Sequence, residues 1–135
     1  MIIHTIYIDK YDWRLRLFVS ITKYDSDVIL KDVADIGASE KLIKHIEESL
    51  KKDNVNTGFT YSNKLARSSV MVIGRSSSAK EEFNSVSHEL RHLVDDIATT
   101  DNMHMGGEEV AYLTGDIAGM IFGYISTLLC CNCHK

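Results

Sequence analysis

The sequence Ser87-His88-Glu89-Leu90-Arg91-His92 decides how the rest of the chain is interpreted, because it carries an H-E-x-x-H pattern. In a helix, His88 and His92 lie one turn apart on the same face, so both imidazoles can reach one metal ion. Glu89 lies beside them and is suited to take a proton from a metal-bound water rather than to bind the metal. The pattern therefore predicts a zinc site with its general base on the same helical turn.

The segment around this pattern has the marks of a helix. Ser78-Ala79-Lys80-Glu81 fits a capping box, in which a hydroxyl and a carboxylate satisfy backbone donors at a helix start. Apolar residues then recur at three- and four-residue steps, which predicts one buried stripe on a helix that ends near Thr99. These residues are Phe83, Val86, Leu90, Val94 and Ile97. The histidines fall opposite this stripe, so a metal site requires a second element beside them, and the alternative is an ordinary solvated face.

Two aspartates follow the second histidine at helical spacing. Asp95 and Asp96 are three and four residues past His92, where a carboxylate can hydrogen-bond a ligating imidazole from outside the metal's own ligand set. The alternative is that both are plain surface charges.

Two carboxylates at the start of the next helical run are candidates for a third metal ligand. Gly106-Gly107-Glu108-Glu109 opens an apolar segment from Val110 to about Leu129. Carboxylates in a first turn also complement the helix dipole, with no metal involved.

Small residues favour Glu108 over Glu109. Ala111, Gly115 and Gly119 share the side of Glu108, and a glycine inside a helix costs up to about 1 kcal/mol relative to alanine. These residues therefore predict a close approach to the histidine helix. We expect Glu108 to be the third ligand, with Glu109 as the alternative.

His88-Glu89-x-x-His92 followed by Glu108-Glu109-Val110-Ala111 resembles the glutamate-ligated zincin metallopeptidases, the gluzincins, whose third ligand begins an E-x-x-A or E-x-x-S pattern. Glu108 fits that frame and Glu109 does not. The gluzincins often carry an aspartate four residues after the glutamate ligand, where this chain has Tyr112. The second half of the chain is also similar to the short H-E-x-x-H proteins common in bacteriophages and mobile elements. The resemblance implies zinc-dependent hydrolysis of a peptide or protein substrate.

In that reaction Glu89 would act as the general base, and a further group should stabilise the oxyanion. The candidates are Tyr112, His104 and Tyr61. In zincins a strand that lines the cleft commonly holds the substrate by backbone pairing, which needs an exposed edge. The sequence leaves open whether residues 69–73 form that edge.

The remaining patterns predict an α+β fold, with a small, mostly antiparallel sheet packed against the histidine helix and a C-terminal helix. Residues 2–8 and 13–21 are predicted to form a hairpin. Residues 27–36 suit a short helix or a strand, and 39–52 an amphipathic helix. Two further strands are predicted at 59–61 and 69–73.

Length and composition place limits on function. The chain of 135 residues suits one metal-binding domain, residues 1–129, with a tail at 130–135 that holds Cys130, Cys131 and Cys133. A net charge of −4 without a basic run excludes general attraction to nucleic acid. Met1 to Lys10 lacks a basic start and an apolar block, so we expect a cytoplasmic protein with reduced thiols.

Two other interpretations remain open. A zinc-binding accessory protein would keep the metal for stability without turnover. A membrane-associated protein would use the apolar run 110–131, in which Gly115, Gly119 and Gly123 repeat G-x-x-x-G. The charge on Asp116 and the lack of flanking lysine clusters favour a helix of a soluble domain without membrane contact.

Overall fold

A four-stranded sheet forms the centre of the computed structural model, which describes residues 1–52 and 58–129. Strands β1 (Ile2–Ile8) and β2 (Trp13–Ile21) pair antiparallel, from Ile2 opposite Val19 to Ile8 opposite Trp13. The predicted first hairpin is therefore confirmed.

The second pair of strands lies at the other side of the sheet. β3 (Phe59–Asn63) and β4 (Ser68–Gly74) pair antiparallel, and the strand order is β1-β2-β4-β3. All seven residues of β4 are buried, because β4 lies between β2 and β3 and is covered on both faces. Residues 69–73 thus lie in an interior strand, and β3 is the edge strand on this side of the sheet.

The contact between the two hairpins is parallel, with Leu15 opposite Ser69. Parallel neighbours need a long crossover, which contains helices α1 (Ser26–Asp35) and α2 (Glu40–Lys51). The α+β class is confirmed, but the sheet is mixed, with two antiparallel pairs and one parallel pair. Residues 27–36 lie in a helix, so the alternative of a strand is wrong.

The histidine helix, α3 (Ala79–Thr100), begins where its cap predicts. The Ser78 hydroxyl accepts the backbone N–H of Glu81 at 3.2 Å, whereas the Glu81 carboxylate accepts the N–H of Ser77 at 3.0 Å. α3 packs on β3 and β4. The H-E-x-x-H pattern therefore lies in the middle of a helix that packs on the edge strand β3 and its neighbour β4.

One end of the predicted apolar stripe is wrong. Phe83 is 63% exposed, while its neighbour Glu82 is only 1% exposed. Leu93, which the stripe omitted, is fully buried. Phe83 lies in the first two turns of α3, where the side that carries Leu90 and Val94 is still open to solvent.

The last helix, α4 (Glu108–Ile125), continues into a short 3-10 turn at Ser126–Leu129 and contacts α3 and β1. It buries one aliphatic stripe. This stripe consists of Val110, Leu113, Ile117, Ile121 and Ile125.

The glycines of α4 point away from the core. A Cβ added at Gly115, Gly119 or Gly123 would meet no atom within 4 Å, and Ala111 is exposed. The prediction that these small residues admit the histidine helix is therefore wrong, because α4 packs through its branched aliphatic side chains.

Within the described ranges, Glu108–Leu129 is the one helical stretch whose length and composition would let it cross a membrane, with a mean hydropathy of 1.2 over an 18-residue window. Core helices of soluble proteins, which are mostly buried, pass the same test, whereas 22% of this window is buried in the structure. The tail that holds Cys130, Cys131 and Cys133 lies outside the described residues, so its predicted role is untested.

Candidate functional site

His88 and His92 face each other on the exposed side of α3. Their Nε2 atoms are 3.3 Å apart, and their ring planes are inclined by 72°. Two nitrogens that share a tetrahedral zinc at about 2.0–2.1 Å are separated by about 3.3–3.4 Å. The pair thus has the spacing that one zinc ion requires, although a hydrogen bond between neutral imidazoles would also fit.

A cleft of 320 Å³ lies between this part of α3 and the edge strand β3. Its size is at the lower end for ligand pockets. Its lining residues are Gly58, Phe59, Thr60, His88, Glu89, His92 and Asp96. The second element that lies beside the histidines is therefore β3.

Glu89 turns from the exposed histidines toward β3 and is only 4% exposed. The Thr60 hydroxyl lies 3.0 Å from Glu89 Oε1 and 3.3 Å from the Glu89 backbone oxygen. In the parts of the chain that the structure describes, no other group donates to this carboxylate. A buried carboxylate with one oxygen held in place by a hydroxyl is suited to accept a proton.

Gly58, immediately before β3, brings the backbone close to the same carboxylate. A Cβ at this position would overlap the backbone oxygen of Val72 and stand 3.1 Å from Glu89 Cγ. Only glycine allows the chain to pass here without displacing β4 or Glu89.

Asp96 reaches the cleft wall at the end of a buried hydrogen-bond chain. Trp13 Nε1 donates to the Ser69 hydroxyl at 2.8 Å, and the Ser62 hydroxyl donates to Asp96 Oδ2 at 2.6 Å. The two serine hydroxyls are 2.7 Å apart. Because the Ser62 hydroxyl donates its single hydrogen to the Asp96 carboxylate, the Ser69 hydroxyl must be the donor in its hydrogen bond with Ser62.

The two aspartates proposed to support the histidines therefore differ. Asp96 lines the cleft. Asp95 instead accepts a hydrogen bond from Arg91 Nε at 2.9 Å in an exposed pair on the helix surface. A supporting role for either remains a prediction, and the cleft geometry favours Asp96.

The candidate third ligands are not brought to the histidine pair. Glu108 and Glu109 are exposed in the first turn of α4, which packs on α3 and β1, and neither of them lines the cleft. Across residues 1–52 and 58–129, no three histidine, cysteine, aspartate or glutamate side chains gather as a metal site. Glu108, with Glu109 as the alternative, stays a prediction.

The three oxyanion candidates also lie outside the cleft lining. Tyr112 is 65% exposed on α4, and His104 is exposed in the loop before it. Tyr61 packs with the core on the sheet face that α1 and α2 cover. Their catalytic roles remain predictions.

The structure adds three residues that sequence reasoning missed, namely Gly58, Thr60 and Ser62. Strand alternation contains part of the signal, since Thr60 and Ser62 must share a face that excludes Phe59 and Tyr61. Which face meets the histidine helix is set only by the pairing of β3 with β4.

Comparison of the chain with protein-family models, with curated proteins and with solved structures finds no match. The functional argument therefore depends on the geometry of the cleft.

Proposed function

We propose that this protein is a zinc-dependent metallopeptidase of the zincin type, with a minimal zincin-like fold. The observation that carries the proposal is the 3.3 Å separation of His88 Nε2 and His92 Nε2 next to a buried Glu89 carboxylate that the Thr60 hydroxyl holds. These are the donor pair and the base that the H-E-x-x-H chemistry needs.

Zinc bound here would activate water and polarise the scissile carbonyl. Glu89 Oε2 would accept the proton of the attacking water and then donate it to the leaving amine. His88 and His92 would hold the ion. The third ligand that the sequence suggests is Glu108, with Glu109 as the alternative, although neither lines the cleft in the structure. Asp96, which does line it, is proposed as the group that orients His92.

The edge strand β3 supports a peptide as the substrate. Among the described residues β3 pairs with β4 alone, so its other edge is open to strand addition. A peptide added there would run beside Thr60 and Glu89, which line the same cleft. This geometry supports an extended peptide as the substrate, since backbone pairing recognises an extended chain.

The first experiment is elemental analysis of the purified protein for zinc, with His92→Ala and Glu108→Ala beside the wild type. We expect about one zinc per chain in the wild type and loss of the metal in His92→Ala; loss in Glu108→Ala as well would establish Glu108 as the third ligand. Loss in His92→Ala alone would assign the third ligand to Glu109 or to Asp96. A wild type that takes up no zinc when it is supplied would refute the site.

Hydrolysis is tested separately with a mixture of unstructured peptides. Glu89→Gln keeps the shape of the side chain but cannot act as a base, so we expect retained zinc and a loss of turnover on the order of 100-fold or more. Retained hydrolysis in this variant would remove Glu89 from the mechanism.

The second candidate is a zinc-binding accessory protein without turnover. It shares the observation that carries the first proposal, the 3.3 Å separation of His88 Nε2 and His92 Nε2, and does not need Glu89 to act as a base. Bound zinc, loss of the fold on chelation and no cleavage of any peptide in the mixture would establish this function.

A further inference from the structure

The strand beside the histidine helix holds two carboxylates of that helix through alternate hydroxyls. Thr60 donates to Glu89 and Ser62 donates to Asp96, at 3.0 and 2.6 Å. Residues two apart on a strand face the same side, and residues seven apart on a helix do so as well. β3 and α3 are thereby matched in register at two points.

The contact to Glu89 differs in kind from the contact to Asp96, because Glu89 carries the proposed chemistry. The terminal torsion of a glutamate is broad and twofold, so its two oxygens exchange places unless one is held. Thr60 Oγ1 holds Oε1, and the backbone at Gly58 closes on Cγ from the same side. Together these contacts restrict the rotation of the Glu89 carboxylate beside the cleft that it lines.

We propose that Thr60 is a positioning residue for Glu89, an inference that rests on the proposed metallopeptidase function. Its hydroxyl fixes the carboxylate so that the proton-accepting oxygen is aligned before substrate arrives. Thr60 belongs to the edge strand on which a peptide would add. The same strand would therefore position both the base, Glu89, and the substrate. A fixed distance between them follows from this arrangement.

Two substitutions at position 60 separate the hydroxyl from the shape of the side chain. Thr60→Val keeps the branched shape and a strong strand former but removes the donor. Thr60→Ser keeps the donor. Thr114→Val is the matched control, because the Thr114 hydroxyl donates to the Val110 backbone oxygen on α4, away from the cleft.

We expect Thr60→Val to lower kcat on the order of 10- to 100-fold, with KM changed less than about twofold. Zinc content should equal that of the wild type, and Thr60→Ser should recover most of the rate. A purely structural role would lower stability and leave kcat per folded molecule unchanged. Equal kcat in Thr60→Val and Thr114→Val would therefore overturn the proposal.

A crystal structure of Thr60→Val provides a readout that does not depend on turnover. We expect the Glu89 carboxylate to be rotated or spread over several orientations, whereas an unchanged carboxylate would overturn the proposal. If the wild type hydrolyses no peptide, the metallopeptidase function fails, and this structural comparison alone decides whether Thr60 positions Glu89.

Discussion

At the scale of single residues, the cleft depends on how closely the backbone passes Glu89. Gly58 lies against both Val72 and Glu89, whereas the glycines of α4 have open space around them. The same substitution should therefore have opposite effects at the two places.

Gly58→Ala should destabilise the protein by about 1–3 kcal/mol, because the new methyl group forces the backbone away from β4. Hydrolysis per folded molecule should fall as well, since Glu89 moves with the contact. Chemical denaturation and peptide turnover measure the two effects. A free energy of unfolding equal to that of the wild type would show that the backbone at Gly58 moves aside without cost.

Gly115→Ala is the matched control for this substitution. Its Cβ meets no atom within 4 Å, and alanine is favoured over glycine inside a helix by up to about 1 kcal/mol. The free energy of unfolding should rise, with no change in turnover.

The residues of the candidate site were predicted unequally well. His88, Glu89 and His92 follow from local spacing, because helical periodicity places them without reference to any other element. Thr60 and Gly58 could not be predicted this way, since their contacts with Glu89 depend on which strand pairs with β4.

At the scale of elements, α3 is the framework of the site, and its first turn depends on one side chain. The Ser78 hydroxyl accepts the N–H of Glu81 at 3.2 Å. Helix caps are local features, so the start of α3 could be predicted from the sequence. The burial of Glu82 in place of Phe83 could not, because it depends on what covers each side of the first two turns.

Ser78→Ala should lower the free energy of unfolding by about 1 kcal/mol, because one backbone donor of the first turn loses its acceptor. Urea denaturation measures the loss. Ser87→Ala, at an exposed position in the middle of the same helix, should be neutral or slightly stabilising. Equal stability of the two variants would show that the cap contributes nothing.

At the scale of the whole molecule, Arg67 ties the two hairpins to the end of α3. Its guanidinium donates to both carboxylate oxygens of Asp101 at 2.8 and 3.0 Å, and to the backbone oxygens of Tyr11 and Asp12. It also lies 5.3 Å from the centre of the Trp13 ring. The hydrogen bond from Arg67 lowers the pKa of Asp101 below its usual value of 3.8.

Asp101→Asn should therefore cost about 1 kcal/mol of stability at pH 7. A lowered folded-state pKa stabilises the protein above the unfolded pKa, and this contribution is lost as the pH falls through the folded pKa. The wild type and Asp101→Asn should thus converge at acidic pH. Denaturation at pH 7 and near pH 3 measures the difference, and a constant gap would contradict it.

Zinc should stabilise the whole fold if the histidine pair binds it. At free zinc about 100 times its Kd, the expected gain is about 2.7 kcal/mol. Thermal unfolding with zinc, with chelator and with His92→Ala measures this gain. An equal upward shift in His92→Ala would place the stabilising ion elsewhere.

The overall class of the fold was predictable from periodicity, but the order of strands was not. The patterns of 13–21 and 69–73 each indicate a strand and carry no information about which neighbour each strand takes. The predicted contact of the α4 glycines with α3 failed for the same reason, since packing partners are set by the complete fold.

The parallel contact between β2 and β4 has a consequence for how the chain folds during synthesis. Trp13 and Ser69, which form a hydrogen bond beside this contact, are 56 positions apart. The chain therefore loses the entropy of closing a long loop before the contact contributes any stabilising free energy. Until then each hairpin carries an unpaired apolar strand edge, and such edges promote aggregation. We expect recovery of folded protein to depend on temperature and concentration during expression, with residues 68–74 as the segment through which unfinished chains associate.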